Sequence, residues 1–463
     1  MSALAARKTT GIEQKLAALD AEFQEWLELT EQDCKFEKHH TQVRALVGHL
    51  GGLRSATGRL FERAKGKGIL AEARNLEALV LGIRRIWEFF RSKLVQRHDP
   101  QMRTFLQLAD ELAWACYQPV LVAAGPAARR EPPLVFLNGG LSPYALARDE
   151  AFFAEDVPGE ALVGRTWDTV LRRLPVPVIG VPWYQTAHLP DLPVVAHETG
   201  HTVEEDFALH EAVLRNIELK LKDTSGAART ADWQAWSHEI FADLWGCLTL
   251  GPAFVGSLMD FLAEDRQRVE GEVATDRYPT AQLRIQLCLE ALRGHLQFEG
   301  ELPIVRVPWD EEFRESAMSD HAADLPAVVA AILAADYEIG GKARRFTAIP
   351  QLRFTPQDLE YARQAVAQQQ VRKTLASANT APRLVAAARV AFEQAPEKYA
   401  AEGRGEAFKD QIGAIVRPGT RRREAESSKA EKTRLTEQAR EQGEAWFNDF
   451  ASWAGADFKS SQV

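Results

Sequence analysis

Residues 197–201 read His-Glu-Thr-Gly-His, and no other five positions constrain the fold of this chain so tightly. Two histidines four apart share a face only on a helix, one turn along its axis. Both rings then reach a single ion about 2.0–2.1 Å from each nitrogen. A helix so used needs apolar support on its other faces, which Val194, Val195, Val203 and Phe207 offer. Glu198, between the histidines, is placed to take a proton from a zinc-bound water whose pKa the metal lowers towards about 7. The chain has 11 histidines in 463 residues. At that frequency the pattern arises by coincidence in on the order of a few per cent of such chains. The alternative is a helix whose two histidines are spaced by chance.

A third ligand decides between these, because a catalytic zinc takes three protein groups and keeps one open position. The extended metzincin pattern asks for glycine and then histidine after the second histidine. Glu204 and Phe207 stand there, so that branch is excluded. Another helical segment, Ser-His-Glu-Ile-Phe-Ala-Asp-Leu-Trp-Gly at 237–246, brings Glu239 and Asp243 to one face. Its neighbours Trp236, Ile240, Phe241, Leu244, Trp245 and Leu248 mark that face as buried rather than solvated.

An HExxH helix followed by a helix with Glu-x-x-x-Asp resembles the gluzincin class of zinc metallopeptidases, of which thermolysin is the familiar member. The resemblance is carried by motifs over about 110 residues, Val176 to Arg284. It implies one zinc ion held by His197, His201 and Glu239, with Asp243 orienting His197 from the outer shell and Glu198 as general base. An outer carboxylate of this kind fixes the ring tautomer and raises ligand basicity. Tyr278-Pro279 followed by Arg284 is similar to a His-Pro-x-x-x-x-Arg segment in membrane-protease relatives, with tyrosine replacing histidine. The Gly-x-Met-x-Asn segment of aminopeptidase relatives has no counterpart, since no methionine lies between Met102 and Met259. Endopeptidase rather than exopeptidase action is therefore the expectation.

A developing oxyanion needs a second donor beside the metal. Tyr278, Arg284, His295, Tyr184 and His188 are candidates, and Tyr278 is preferred because a phenol donates without adding charge. The segment Val176–Trp183 reads as an edge strand able to pair with an extended peptide, and Pro177 and Pro182 suit an edge. His238 is turned about 100° from Glu239 on a helix, so it is not read as a ligand. His210-Glu211 reads as a surface pair.

The rest of the chain frames this centre. Residues 1–117 read as a helical region, with apolar stripes at Leu16, Leu19, Phe23 and Leu27 and from Leu76 to Phe90. The glycine-rich GHLGGLR at 48–54 and Asp99-Pro100 punctuate it. A catalytic domain is expected over 118–300, with β-rich pieces at Pro119–Ala123, Leu134–Leu137 and Val176–Trp183. Its helices are expected over Pro193 to Lys222, Trp233 to Leu250, and from Tyr278-Pro279 to Phe298. Residues 301–416 read as a helical C-terminal region, with helices opening at Thr355-Pro356 and Pro382. Residues 417–463 read as a charged linker followed by an apolar stripe of Leu435, Trp446, Phe450 and Trp453. The expected class is α+β, predominantly helical, with a zincin-like core and a small edge sheet.

Hydrophobic residues make up 46% and charged residues 26%, which excludes a largely disordered chain. Fifty-six Lys+Arg against 65 Asp+Glu give −9, which does not favour a nucleic-acid-binding surface. Cys34, Cys116, Cys247 and Cys288 have neither disulfide-scaffold nor zinc-knuckle spacing. The first residues lack the apolar core of a signal peptide, and no run is long enough for a membrane span. The expectation is a cytoplasmic zinc metallopeptidase acting on protein or peptide substrates, without nucleic-acid or membrane partners. Two rivals stand beside it: a helical scaffold with an inactive zincin core, and a zinc hydrolase of a non-peptide amide or ester.

Overall fold

The computed structural model describes residues 2–32, 36, 39–125, 131–146, 176–270, 278–313, 320–367, 380–405, 407–408, 437 and 440–441. The 417–434 linker, the stripe from Leu435 to Trp453 and Cys34 lie outside the described residues, apart from isolated positions at 437 and 440–441. The chain is predominantly helical with a small sheet. It divides into two compact units. No helix among the described residues is long and apolar enough to cross a membrane.

The first unit contains three long helices, α1 (Ala3–Gln32), α2 (His40–Lys67) and α3 (Ile69–Leu94). Leu16, Leu19 and Phe23 face inwards as the spacing requires, and they are joined by Trp26. Trp87 on α3 meets Phe23 and Trp26 edge-on at 5.5 and 5.7 Å, geometries in which ring edges meet ring faces. The expected turn at 48–54 is not a turn. Helix α2 runs through it, with Gly48 and Gly52 buried beside Leu46, Leu50 and Leu53. The apolar stripe prevails over the roughly 1 kcal/mol that each glycine costs a helix. The break comes instead at Gly68, whose φ of 115° ends α2 and whose N–H caps the Ala64 carbonyl.

The second unit is drawn from residues 104–147 and 178–416 and has one continuous core. Most of α4 (Pro100–Ala124) lies in it. The expected β piece Pro119–Ala123 is the end of this helix, with Pro119 inside it. A short apolar run reads equally as buried helix or buried strand. The stripe Phe105, Leu108, Leu112, Cys116 and Val120, all buried, continues the helical period through the proline.

Three strands follow: β1 (Leu134–Asn138), β2 (Tyr144–Leu146) and β3 (Val178–Pro182). The sheet order is β1-β3-β2, with β1 parallel and β2 antiparallel to β3. The segment expected at an edge is therefore the central, fully buried strand. Pro182 is tolerated because it closes the strand, and β2 is an outer strand among the described residues. Gly180, paired with Tyr144, is required here, since a Cβ would sit 2.8 Å from the tyrosine ring.

From β3 the chain passes through two 3-10 turns, Trp183–Ala187 and Leu189–Asp191, into α5 (Val194–Asp206). The single helix expected from Pro193 to Lys222 is two, because the chain turns at 207–209 with Ala208 at φ 52° and restarts as α6 (His210–Leu221). The helix expected from Trp233 likewise divides at Trp236 into α7 (Ala227–Ala235) and α8 (Ser237–Leu250). Then come α9 (Pro252–Leu262), α10 (Arg266–Glu270), α11 (Ala281–Gly294), α12 (Leu302–Phe313) and α13 (Leu325–Leu333). A hairpin absent from the sequence reading, Tyr337–Ile339 with Lys342–Arg344, turns on Gly340 and Gly341 at φ 62° and 72°. Helices α14 (Pro356–Ala367), α15 (Thr380–Gln394) and α16 (Pro396–Ala401) complete the unit. Residues beyond 301 share the core of this unit, with Leu384 and Ala387 packed into it alongside Trp245 and Phe254.

Candidate metal centre

Helix α5 lies against α8, and the glycine within the histidine motif sets how closely. A Cβ on Gly200 would stand 2.9 Å from the Trp245 Cβ and 3.0 Å from the Ala242 Cα. Only a residue without a side chain lets the two backbones approach so far. That approach brings His197 and His201 to Glu239.

The Nε2 atoms of His197 and His201 are 3.2 Å apart. Glu239 Oε2 is 3.4 Å from the first, and Glu239 Oε1 is 3.6 Å from the second. Two ligands about 2.0–2.1 Å from one tetrahedral ion stand about 3.3–3.4 Å from each other. The three side chains therefore have the separations of a ligand set and fit a divalent metal. Helical spacing puts the two histidines one turn apart, and the Gly200 contact sets their distance to α8.

Asp243 lies one turn beyond Glu239. Its Oδ1 is 2.9 Å from His197 Nδ1, on the side of the ring opposite the ligand nitrogen. The same carboxylate receives two hydrogen bonds from Arg284 of α11, Nε to Oδ2 at 2.7 Å and Nη2 to Oδ1 at 2.8 Å. Arg284 Nη2 also stands 3.4 Å from Glu239 Oε2. Asp243 is fully buried and Arg284 nearly so. A planar guanidinium matches a carboxylate with both N–H groups, which fixes the geometry as well as the charge. Arg284 was a sequence candidate for oxyanion stabilisation. The structure instead seats it behind Asp243, where it positions the carboxylate that faces His197.

Charge follows from this packing. Burial alone would lower the pKa of His197, but Asp243 and Glu239 outweigh it and push the imidazole up to about 10. Burial and the charge of His197 together lower His201 to about 4. Asp243 is held well below the usual carboxylate range, since Arg284 and His197 overcome the burial that would raise it. Metal ligation by His197 must displace a proton the site otherwise retains.

Glu198 is buried beside the ligands without belonging to their set. Burial raises its pKa, the charge of His197 pulls it back and that of Glu239 pushes it up, leaving it at about 7. The backbone of Ala145 on β2 faces this carboxylate and pulls its pKa part of the way back down. A carboxyl whose pKa lies at about 7, beside three side chains able to hold a metal, can both accept and return a proton.

The remaining sequence candidates are dispersed. Tyr278 is 45% exposed, just before α11 and six positions ahead of Arg284. His295 caps the other end of α11, about 16 Å along the axis from Arg284 at 1.5 Å per residue. His188 packs edge-on against Phe392 at 4.8 Å and Tyr399 at 6.2 Å. The Tyr184 hydroxyl donates to the Leu141 carbonyl at 3.0 Å and lines a cavity of about 560 Å³. That cavity opens at the head of α5, between Leu141, Asp191, Val194 and Asp260, and none of His197, Glu198, His201, Glu239 and Asp243 lines it. Two histidines read as unremarkable, His210 and His238, are drawn together on Glu204. No protein-family model, curated protein or solved structure matches the chain.

Proposed function

We propose that the protein is a zinc-dependent peptidase of gluzincin-like design, cleaving peptide bonds within proteins or peptides. The observation that carries this reading is the association of a three-ligand set with a separate buried carboxylate, Glu198, that takes no part in it. His197, His201 and Glu239 would hold the ion, which supplies Lewis-acid polarisation of a water and of the scissile carbonyl. Imidazole and carboxylate donors suit zinc. Asp243, held by Arg284, keeps the His197 Nδ1 side occupied and so leaves Nε2 for ligation.

Glu198 takes the proton of the attacking water and returns it to the leaving nitrogen. The backbone of Ala145 places this carboxylate next to β2, whose outer position among the described residues suits an extended peptide added as a further strand. Tyr278 is the proposed donor to the developing oxyanion. If it acts so, Tyr278→Phe lowers kcat by roughly 100–1000-fold with metal content unchanged, and an unchanged kcat removes it from the mechanism.

The decisive experiment compares cleaved peptides across a proteome treated with wild type or with Glu198→Gln. Cleavages present only with wild type, both proteins carrying zinc, support the peptidase. Identical peptide sets from the two proteins refute it. Zinc content fully retained in Glu239→Ala would show that the third ligand is another residue.

A further inference from the structure

Glu204 ends the face of α5 that carries the two histidines, yet it has no part in their centre. Its side chain is 1% exposed, and each carboxylate oxygen has one imidazole as partner. Oε1 is 3.1 Å from His210 Nδ1, at the first residue of α6, and Oε2 is 2.7 Å from His238 Nδ1, at the second residue of α8. The two rings stack in parallel, 4.1 Å between centroids and 2° between planes. Among the described ion pairs Glu204 has no lysine or arginine partner. A carboxylate this deeply buried is paired with charge or coordinates a metal.

The three donor groups come from three helices and lie within ligand distance of one another. Ligands about 2.0–2.1 Å from a shared ion stand about 2.9–3.4 Å apart, and the two nitrogen–oxygen separations lie close to that span. The histidine side chains are 34% and 58% exposed, so the cluster is open to an ion from solvent on the histidine side. Imidazole donors select zinc, cobalt, nickel or copper over magnesium and calcium.

We infer that Glu204, His210 and His238 form a second, solvent-accessible site for a divalent transition metal, distinct from the His197–His201–Glu239 set. The ion clips the start of α6 to α5 and α8, the two helices that carry the first set. Bound only by the folded chain, it raises the melting temperature as its concentration exceeds its Kd.

The test is calorimetric titration with ZnCl₂ of the full, tag-free, chelator-stripped chain. Wild type should bind two equivalents, His197→Ala/His201→Ala one, and His210→Ala/His238→Ala one. The conservative His238→Gln should keep the far-UV spectrum and weaken the second equivalent at least tenfold. Two equivalents retained by His210→Ala/His238→Ala, or none bound by a folded His197→Ala/His201→Ala, would overturn the proposal. A single wild-type equivalent lost with His210→Ala/His238→Ala would uphold this site and remove the first.

Discussion

The two histidine–carboxylate clusters of the second unit use the same residue types with opposite logic. In the first, both Nε2 atoms converge on Glu239, and a different carboxylate, Asp243, stands behind His197 with Arg284 behind it. In the second, a single carboxylate faces both histidines, and no lysine or arginine joins it among the described ion pairs. The first is preorganised at the cost of burying several charges, whereas the second stays satisfied by hydrogen bonds and open to solvent. Composition does not separate the two clusters. What separates them is whether the carboxylate behind the ring is itself held by a further charge.

The largest expected effect tests whether the first cluster is chemically active. Glu198→Gln should lower turnover by roughly 100–10,000-fold, the range for loss of a general base, while zinc stays bound. A turnover within tenfold of wild type, measured on any substrate found by proteome cleavage, would leave that cluster a binding site only.

Next in size is the charge pair behind His197. Asp243→Ala strands a buried guanidinium and Arg284→Met strands a buried carboxylate, so each should cost about 3–5 kcal/mol in urea unfolding. Asp243→Asn keeps the shape and is the better probe of metal affinity, which should fall roughly 10–100-fold. The double replacement Asp243→Leu/Arg284→Met should recover most of the stability without recovering the affinity. Recovery of both would mean the pair does not act through His197.

A pH experiment sharpens the cost of preorganisation. In the metal-stripped protein the folded pKa of Glu198 is raised from an ordinary 4.5 to about 7. A raised folded value means its stabilising contribution is complete below about 4.5 and is lost as pH rises through 7. Glu198→Gln lacks this loss. Relative to wild type, the stripped variant should gain about 2–3 kcal/mol between pH 4 and pH 8. A pH-independent difference between the two proteins would show that Glu198 is not held neutral by burial.

The smallest effect belongs to the second cluster. Glu204→Gln removes charge but strands none, since its histidine partners reach solvent, so its cost should be roughly 1 kcal/mol. A loss as large as that of Asp243→Ala would erase the contrast between the clusters.

Much of the first centre was legible in the sequence because helical spacing is a local property. His197 and His201 must share a face on any helix, and Glu239 and Asp243 must do the same. The apolar residues around 236–248 announced burial, and all of those named at sequence level are buried. The predominantly helical class and the stripes of α1 and α3 were legible for the same reason. The edge position expected for Val176–Trp183 is not found, because strand order depends on a neighbour, β1, whose pairing no residue of β3 reveals.

What only the tertiary structure decided was the distances between elements distant in sequence. Arg284 carries no local mark of its role, and its partner Asp243 is 41 positions away. The motif itself does not require glycine at position 200; the packing of α8 does. The second cluster depends on a turn at Ala208 with positive φ, in a stretch without the glycine or proline that usually announces a turn. Periodicity fixes which side chains share a face, since it follows from backbone geometry one residue at a time. Which faces meet is set by packing the whole core, and here that packing turned two isolated histidines and a glutamate into one cluster.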